Sequence, residues 1–168
     1  MKKKRYLSLT GMILALALCL CACSGGGKAA AVSLYDLKNA MAGATQKFSE
    51  MTYASSEDEG AQEIFANISD LSYSKVDSFC IYYATNGTGN ADEIAVIQVK
   101  NNNDLTDARK SLEAHLEKRK SLYSTYDKTQ LKKLDGARVV TAGNCAALIV
   151  GDEADKISEA FYGFFNGE

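Results

Sequence analysis

The run Cys145-Ala146-Ala147-Leu148-Ile149-Val150 is apolar at every position. Successive side chains of a strand point to opposite faces, so Ala146, Leu148 and Val150 share one face while Ala147 and Ile149 share the other. Neither face tolerates water, so this strand belongs inside a sheet covered on both sides. Gly143-Asn144 just before it is a strong tight-turn pair, and Ala137 to Thr141 is the expected hairpin partner. Upstream, the apolar period also falls to two: Phe79, Ile81 and Tyr83 lie on one face, Ser78, Cys80 and Tyr82 on the other. The loop Thr85-Asn86-Gly87-Thr88-Gly89-Asn90 is rich in residues that tolerate positive φ. Glu93 to Lys100 then returns, with Ala95, Ile97 and Val99 opposite Ile94 and Val96, completing a second hairpin.

Helical spacing fills the rest. Ser33 with Asp36 is a capping pair for a helix carrying Leu34, Leu37, Ala40, Met41, Ala44 and Phe48. Ser56 with Glu59 predicts a short helix through Ile64, Phe65 and Ile68 that ends near Leu71. Asn101 to Asp104, with Asp107 at the third helical position, opens a long helix to about Tyr123. Its expected buried stripe is Leu105, Ala108, Leu112, Leu116 and Leu122/Tyr123. Tyr126 to Asp135 reads as a basic connector anchored by Leu131 and Leu134. Gly151-Asp152 ends the sheet and caps a last helix, Glu153 to about Phe165, with Ala154, Ile157, Phe161 and Phe164/Phe165 inward. The consistent layout is an α+β domain: a four-stranded antiparallel sheet of two hairpins with helices packed on it.

The beginning of the chain has a different purpose. Lys2-Lys3-Lys4-Arg5 precedes an apolar stretch from Leu7 to Leu20, then Cys21-Ala22-Cys23 and Ser24-Gly25-Gly26-Gly27. A basic patch, a short apolar core and a small residue before a cut site make a secretory signal. Leu7 to Leu20 is 14 residues, short of the roughly 20 that a spanning helix needs. The segment resembles a bacterial lipoprotein signal, whose lipobox ends in Cys; here it is Leu20, Cys21, Ala22 and Cys23. That resemblance implies cleavage after Ala22 and a diacylglycerol on Cys23, two acyl chains being enough for stable anchoring. An uncleaved membrane helix and a plain secreted protein are the alternatives. The expected organisation is a lipoprotein signal peptide over 1–22, a lipidated flexible tether over 23–32 and one α+β domain over 33–168.

Four of the 19 basic residues leave with the signal, so 15 face 21 acids and the mature net charge is −6. That argues against nucleic acid as a partner and against a broad basic face pressed on anionic lipid. Of the five cysteines, Cys19 and Cys21 fall in the discarded piece, and Cys80 and Cys145 sit in apolar strands. Two unpaired, buried thiols are the expectation, with a disulfide as the alternative.

Ala91-Asp92-Glu93-Ile94-Ala95-Val96, the stretch Leu116 to Tyr126, and Leu134 to Asp152 around Gly143-Asn144 resemble a bacterial family known only as a domain of unknown function, DUF4358. Its members are typically small lipoproteins of Gram-positive-type bacteria, and the likeness spans roughly residues 58–166. Cys145 stands where such proteins often have an aromatic, and Lys128 where Pro is common. The resemblance implies support for the anchor and the fold, and brings no catalytic residues.

Chemistry-bearing residues are sparse. His115, the only histidine, has no His or Cys at metal-ligand spacing, and is expected as a solvated boundary residue on the long helix. Cys145 starts an apolar strand, a poor setting for a nucleophile with His115 as its base. The acid clusters Glu57-Asp58-Glu59 and Asp152-Glu153-Asp155 lack calcium-loop spacing and read as first-turn helix charges. Arg109 to Lys133 carries eight bases against Glu113, Glu117 and Asp127, while residues 49–71 carry six acids and no base. Either the two segments complement each other or the basic one is a patch for an anionic envelope component. Tyr82, Tyr123, Tyr126 and Tyr162 are candidates for a recognition surface or for the core rim.

The expected function is a surface-tethered binding or interaction module, acting through a sheet face or the Thr85–Asn90 loop toward an envelope protein or ligand, with no cofactor, no metal and no catalytic residue assigned. The alternatives are an envelope enzyme using Asp92 and Glu93, and a structural accessory of an envelope complex. Adjacent strand positions point to opposite faces, so Asp92 and Glu93 are not expected to act as a pair.

Overall fold

The computed structural model describes residues 32–46, 51–84 and 90–167. The signal segment, Cys23, the tether, Phe48 and Thr85 to Gly89 lie outside the described residues. Ten elements follow in chain order: α1 (Leu34–Gly43), β1 (Met51–Ser55), α2 (Ala61–Ala66), β2 (Val76–Ala84), β3 (Glu93–Val99), α3 (Leu105–Tyr126), α4 (Leu131–Asp135), β4 (Arg138–Ala142), β5 (Cys145–Val150) and α5 (Ala154–Asn166). Among the described residues no helix is long and apolar enough to cross a membrane.

The fold is α+β, but the antiparallel sheet has five strands, not four, in the order β1-β2-β3-β5-β4. The added strand is β1, an edge strand registered on β2 with Tyr53 opposite Tyr82 and Ser55 opposite Cys80. Its residues run from half-buried Met51 and Thr52 through exposed Tyr53 to buried Ala54 and Ser55, with no clear apolar alternation, because an edge strand packs against one neighbour only. Both expected hairpins are present, joined through the β3–β5 pairing that sets Ile97 opposite Ala146 and Glu93 opposite Val150. As its composition demanded, β5 is interior and wholly buried.

The sheet has two covered faces, divided by the pleat as expected. On one face Phe79, Ile81, Ala95, Ile97 and Leu148 pack against Leu112 and Leu116 of α3, Leu134 of α4 and Phe65 of α2. On the other, Cys80, Ile94, Val96, Ala147 and Ile149 pack against Leu37 and Met41 of α1 and Ile157 and Phe161 of α5. The Ser33 cap forms, with its hydroxyl accepting from Asp36 N at 3.2 Å. The turn at Gly143 has φ +55°, and a Cβ there would stand 2.6 Å from the Phe165 ring, so glycine is required twice over.

Several boundaries moved. Ser56 to Gly60 is a turn, closed by Asp58 Oδ2 accepting from Ser55 N at 2.6 Å; α2 starts only after Gly60, whose φ is +75°. Glu57, Asp58 and Glu59 therefore close a turn and do not charge a helix start. The long helix runs three residues past expectation, to Tyr126, and at its end Leu122 is 63% exposed while Tyr123 packs inward. The basic connector folds into a 3-10 turn and α4, with Leu134 fully buried. Glu153, rather than Asp152, occupies the cap position of α5, with no side-chain cap bond of its own; it accepts instead from the Thr45 hydroxyl.

Gln98 fixes the position of Val32, the first described residue. Its Nε2 donates to the Val32 carbonyl at 3.0 Å, and its Oε1 accepts from the Ser78 hydroxyl at 2.6 Å. Val32 therefore joins the sheet at the Gln98 end of β3, five residues or about 17 Å along the strand from Glu93.

Candidate functional site

At the Glu93 end of β3 the α3 face of the sheet changes character. A cleft of about 460 Å³ opens there, between α2, the ends of β1 to β3, and α3. Its volume lies in the range of small-ligand sites. Ala54, Ile64, Ile68 and Ile81 make the apolar part of its walls, and Glu93, His115 and Arg119 its polar floor.

The floor follows from the pleat and the helical turn. Glu93 shares a face with Ala95 and Ile97, so it points under α3, and His115 and Arg119, four residues apart, face it from consecutive turns. His115 Nε2 lies 2.9 Å from Glu93 Oε1. An ionised carboxylate only accepts, so this bond places the hydrogen at Nε2. Arg119 Nη1 sits 3.1 Å from Glu93 Oε2 as an ion pair, yet its N–H is not aimed at the oxygen and makes no hydrogen bond. The other end of the guanidinium, Nη2, donates to Ala91 O at 3.1 Å. The same guanidinium lies 5.7 Å from the centre of the Tyr123 ring, whose hydroxyl donates to Asn90 O at 3.1 Å.

Behind the floor a second buried set holds the strand entry. Lys133 Nζ lies 3.0 Å from Asp92 Oδ1 and donates to Asn90 Oδ1 at 2.8 Å, while Asn90 Nδ2 donates to Asp92 Oδ2 at 2.9 Å. Gln130 Oε1 accepts from Ala91 N at 3.1 Å. Charge-assisted contacts of this kind from α3, the 3-10 turn and α4 hold residues 90–93 in place, so the cleft floor is built on a fixed backbone.

The structure redistributes the residues singled out from sequence. Asp92 and Glu93 do part company, as expected: Glu93 floors the cleft, whereas Asp92 borders a small recess with Thr45, Ile94 and Glu153. His115 is not a solvated boundary residue; its side chain is 14% exposed and paired with Glu93. Sequence reasoning missed it because its partner lies 22 positions away, on a strand. The signal within reach was the period-two face of Glu93 together with the helical face of His115 and Arg119. Cys80 and Cys145 are both free and buried, as expected, on the face opposite His115. Burial pushes each thiol up to about 12, which removes Cys145 from consideration as a nucleophile.

The four candidate tyrosines do not form one surface. Tyr123 lines the cleft, with Tyr126 edge-on at 6.4 Å. Tyr82 packs on the α1/α5 face beside Tyr53, and Tyr162 lies against Phe161. The acidic and basic segments do meet across the cleft, but through Ile64, Asn67 and Ile68 facing α3. The bases of α3 and α4 pair with Glu93, Asp92, Glu113, Glu117 and Asp135. Among the described residues no group of three or more His, Cys, Asp or Glu side chains is placed to hold a metal ion.

No curated protein and no solved structure matches this chain. A family model does, over residues 49–151, more than half of the chain. The match starts earlier and stops sooner than the span of 58–166 read from sequence. It takes in β1 to β5 and every described residue of the cleft, and it leaves out α1 and α5. The chain is thus a member of the family described as a domain of unknown function (DUF4358).

Proposed function

We propose that this protein is a binding module tethered to the extracytoplasmic face of the cell membrane by lipid on Cys23, and that it takes a small ligand in the cleft above Glu93. The observation that carries the binding reading is the convergence of Glu93, His115 and Arg119 on the floor of a cleft whose walls mix aliphatic Ala54, Ile64 and Ile81 with Asn67, Tyr83 and Tyr123. Buried charge of this kind does little for stability that apolar packing would not do as well, so a ligand is the better reason for it. The tether reading is supported by the Leu20-Cys21-Ala22-Cys23 pattern. It also suits the placement of Val32, at the end of β3 remote from the cleft, since a module anchored through Val32 presents the cleft away from the bilayer.

A second reading has one observation in its favour. A carboxylate that orients an imidazole at 2.9 Å is the arrangement a general base needs. Against it, the second Glu93 oxygen is held by the Arg119 guanidinium, and the described lining residues include no Ser, Thr or Cys nucleophile. Binding is therefore preferred.

Two measurements test the proposal on the full-length protein in detergent. Intact mass spectrometry should show cleavage after Ala22 and a diacylglyceryl Cys23; an unmodified Cys23 or an intact leader would overturn the tether. A thermal-shift screen against fractionated small molecules of the cell envelope should find a stabilising fraction, because ligand at 100 times its Kd adds about 2.7 kcal/mol. Finding no stabilising fraction would overturn the binding reading.

A further inference from the structure

The floor of the cleft specifies more than the presence of a ligand. Glu93 and Arg119 lie 3.1 Å apart and neutralise each other. An anionic ligand reaching Arg119 meets the Glu93 carboxylate, and a cationic one reaching Glu93 meets Arg119 and His115. The balanced pair disfavours net charge of either sign, since a desolvated charge without a partner is costly.

What the site offers instead is unspent hydrogen bonding of both senses. Arg119 Nη1 lies buried beneath the floor, ion-paired with Glu93 but not hydrogen-bonded to it, so the groups a ligand can reach are on the walls. Tyr83 brings a hydroxyl that both donates and accepts. Asn67, at the end of α2, uses its Nδ2 on the Glu63 carbonyl at 3.1 Å, which leaves its side-chain oxygen as an acceptor. The same lining includes apolar Ala54, Ile64 and Ile81 and the aromatic rings of Tyr83 and Tyr123. A ligand that fits has no net charge, carries several hydroxyl or amide groups that donate and accept, and has a C–H face for aromatic and aliphatic contact.

Resting on the binding-module reading above, we infer that the ligand is a neutral saccharide unit of the cell envelope. A pyranose ring has the required combination: equatorial hydroxyls around its rim and axial C–H groups on its faces.

The chain supplies its own reporter, because His115 on the cleft floor is its only histidine. Its imidazole proton resonance is followed in the full-length protein in detergent during titration with N,N′-diacetylchitobiose and maltose, and separately with glucuronate, glucosamine and the dipeptide Ala-Ala. At least one neutral sugar should move the resonance saturably, with glucuronate and glucosamine about tenfold weaker or worse. Tyr83→Ala should weaken the sugar about tenfold. Asn67→Ala, at an exposed position where folding is secure, should weaken it measurably and serves alone if the first variant does not fold. Equal or tighter binding of a charged sugar overturns the inference, as does a response to the dipeptide with none to sugars. That second result leaves the binding module standing. Silence toward every probe also overturns the saccharide, and the envelope-fraction screen then decides separately whether the module reading survives.

Discussion

The two faces of this sheet are built from the same strands and yet are finished differently. Under α1 and α5 the layer is apolar, with Leu37, Met41, Ile157 and Phe161 closing over Cys80, Ile94, Val96 and Ile149. Under α2 and α3 the packing is equally tight around Phe79, Leu112 and Leu148, but at the Glu93 end it gives way to a carboxylate, an imidazole and a guanidinium. The first face is held chiefly by the hydrophobic effect, its buried polar groups Gln98 and Asp92 lying at the two ends and paired within the chain. The second holds ionic groups that burial penalises. On the binding reading proposed above, polar groups inserted where apolar ones would fold as well mark the face that takes the ligand. The family match makes the same division, since it contains the whole sheet and the cleft and stops short of α1 and α5.

Glu93→Ala and Phe161→Ala separate the two faces most sharply. Removing Glu93 leaves Arg119 without its counter-charge and His115 without its hydrogen-bond partner, and breaking a buried pair from one side costs about 3–5 kcal/mol. Removing the fully buried Phe161 ring opens a cavity under α5, at a similar cost of about 3–5 kcal/mol. Calorimetric unfolding should therefore rank the two variants together. Their behaviour toward whatever stabilises the wild type in the envelope screen should differ: Phe161→Ala keeps that response, and Glu93→Ala loses it. Equal loss in both would mean that the cleft has no privileged link to the ligand.

How much of this was readable in advance divides along the same line. The faces of β2, β3 and β5 follow from alternation alone, because strands buried on both sides write their pleat into composition, as Phe79/Ile81 and Ile94/Val96 do. The edge strand β1 is harder, since Thr52, Tyr53 and Ser55 fit a half-exposed edge and a loop equally well. The cleft is harder still. Glu93, His115 and Arg119 meet only because β3 passes beneath the third and fourth turns of α3, a tertiary fact with no local sign. His115, alone of its kind and without a ligand-spaced neighbour, reads as an ordinary surface histidine until the strand beneath it is in place.

The thiols offer a pH test confined to the dry face. Burial raises Cys80 and Cys145 to about 12, from a reference value of 9.0. The unfolded chain therefore loses these protons first as pH climbs. Their contribution is intact below about pH 9 and drains away between there and about pH 12. At pH 10, one unit above the reference, the loss is on the order of 1 kcal/mol per thiol. Denaturant unfolding at pH 8 and pH 10 should show that difference, and Cys80→Ala should remove one thiol's share of it while leaving the cleft untouched. A variant whose pH dependence matches the wild type would show that Cys80 is reached by water.

Tyr123→Phe has the smallest expected effect and reads the wet face most finely. The substitution keeps the ring under the Arg119 guanidinium, 5.7 Å from its centre, and deletes only the hydroxyl that donates to Asn90 O. A neutral hydrogen bond of this kind contributes about 0.5–1.5 kcal/mol net, so thermal unfolding should move by a few degrees at most. The informative quantity is the His115 resonance. If the Tyr123 hydroxyl only pins Asn90 and the strand entry, the resonance in the free protein stays put, because Glu93 still orients the imidazole. A large displacement without ligand would instead mean that Asn90, Glu93 and His115 respond as one connected unit. The floor would then rearrange with its rim, and the contrast between a rigid dry face and a fixed polar one would have to be redrawn.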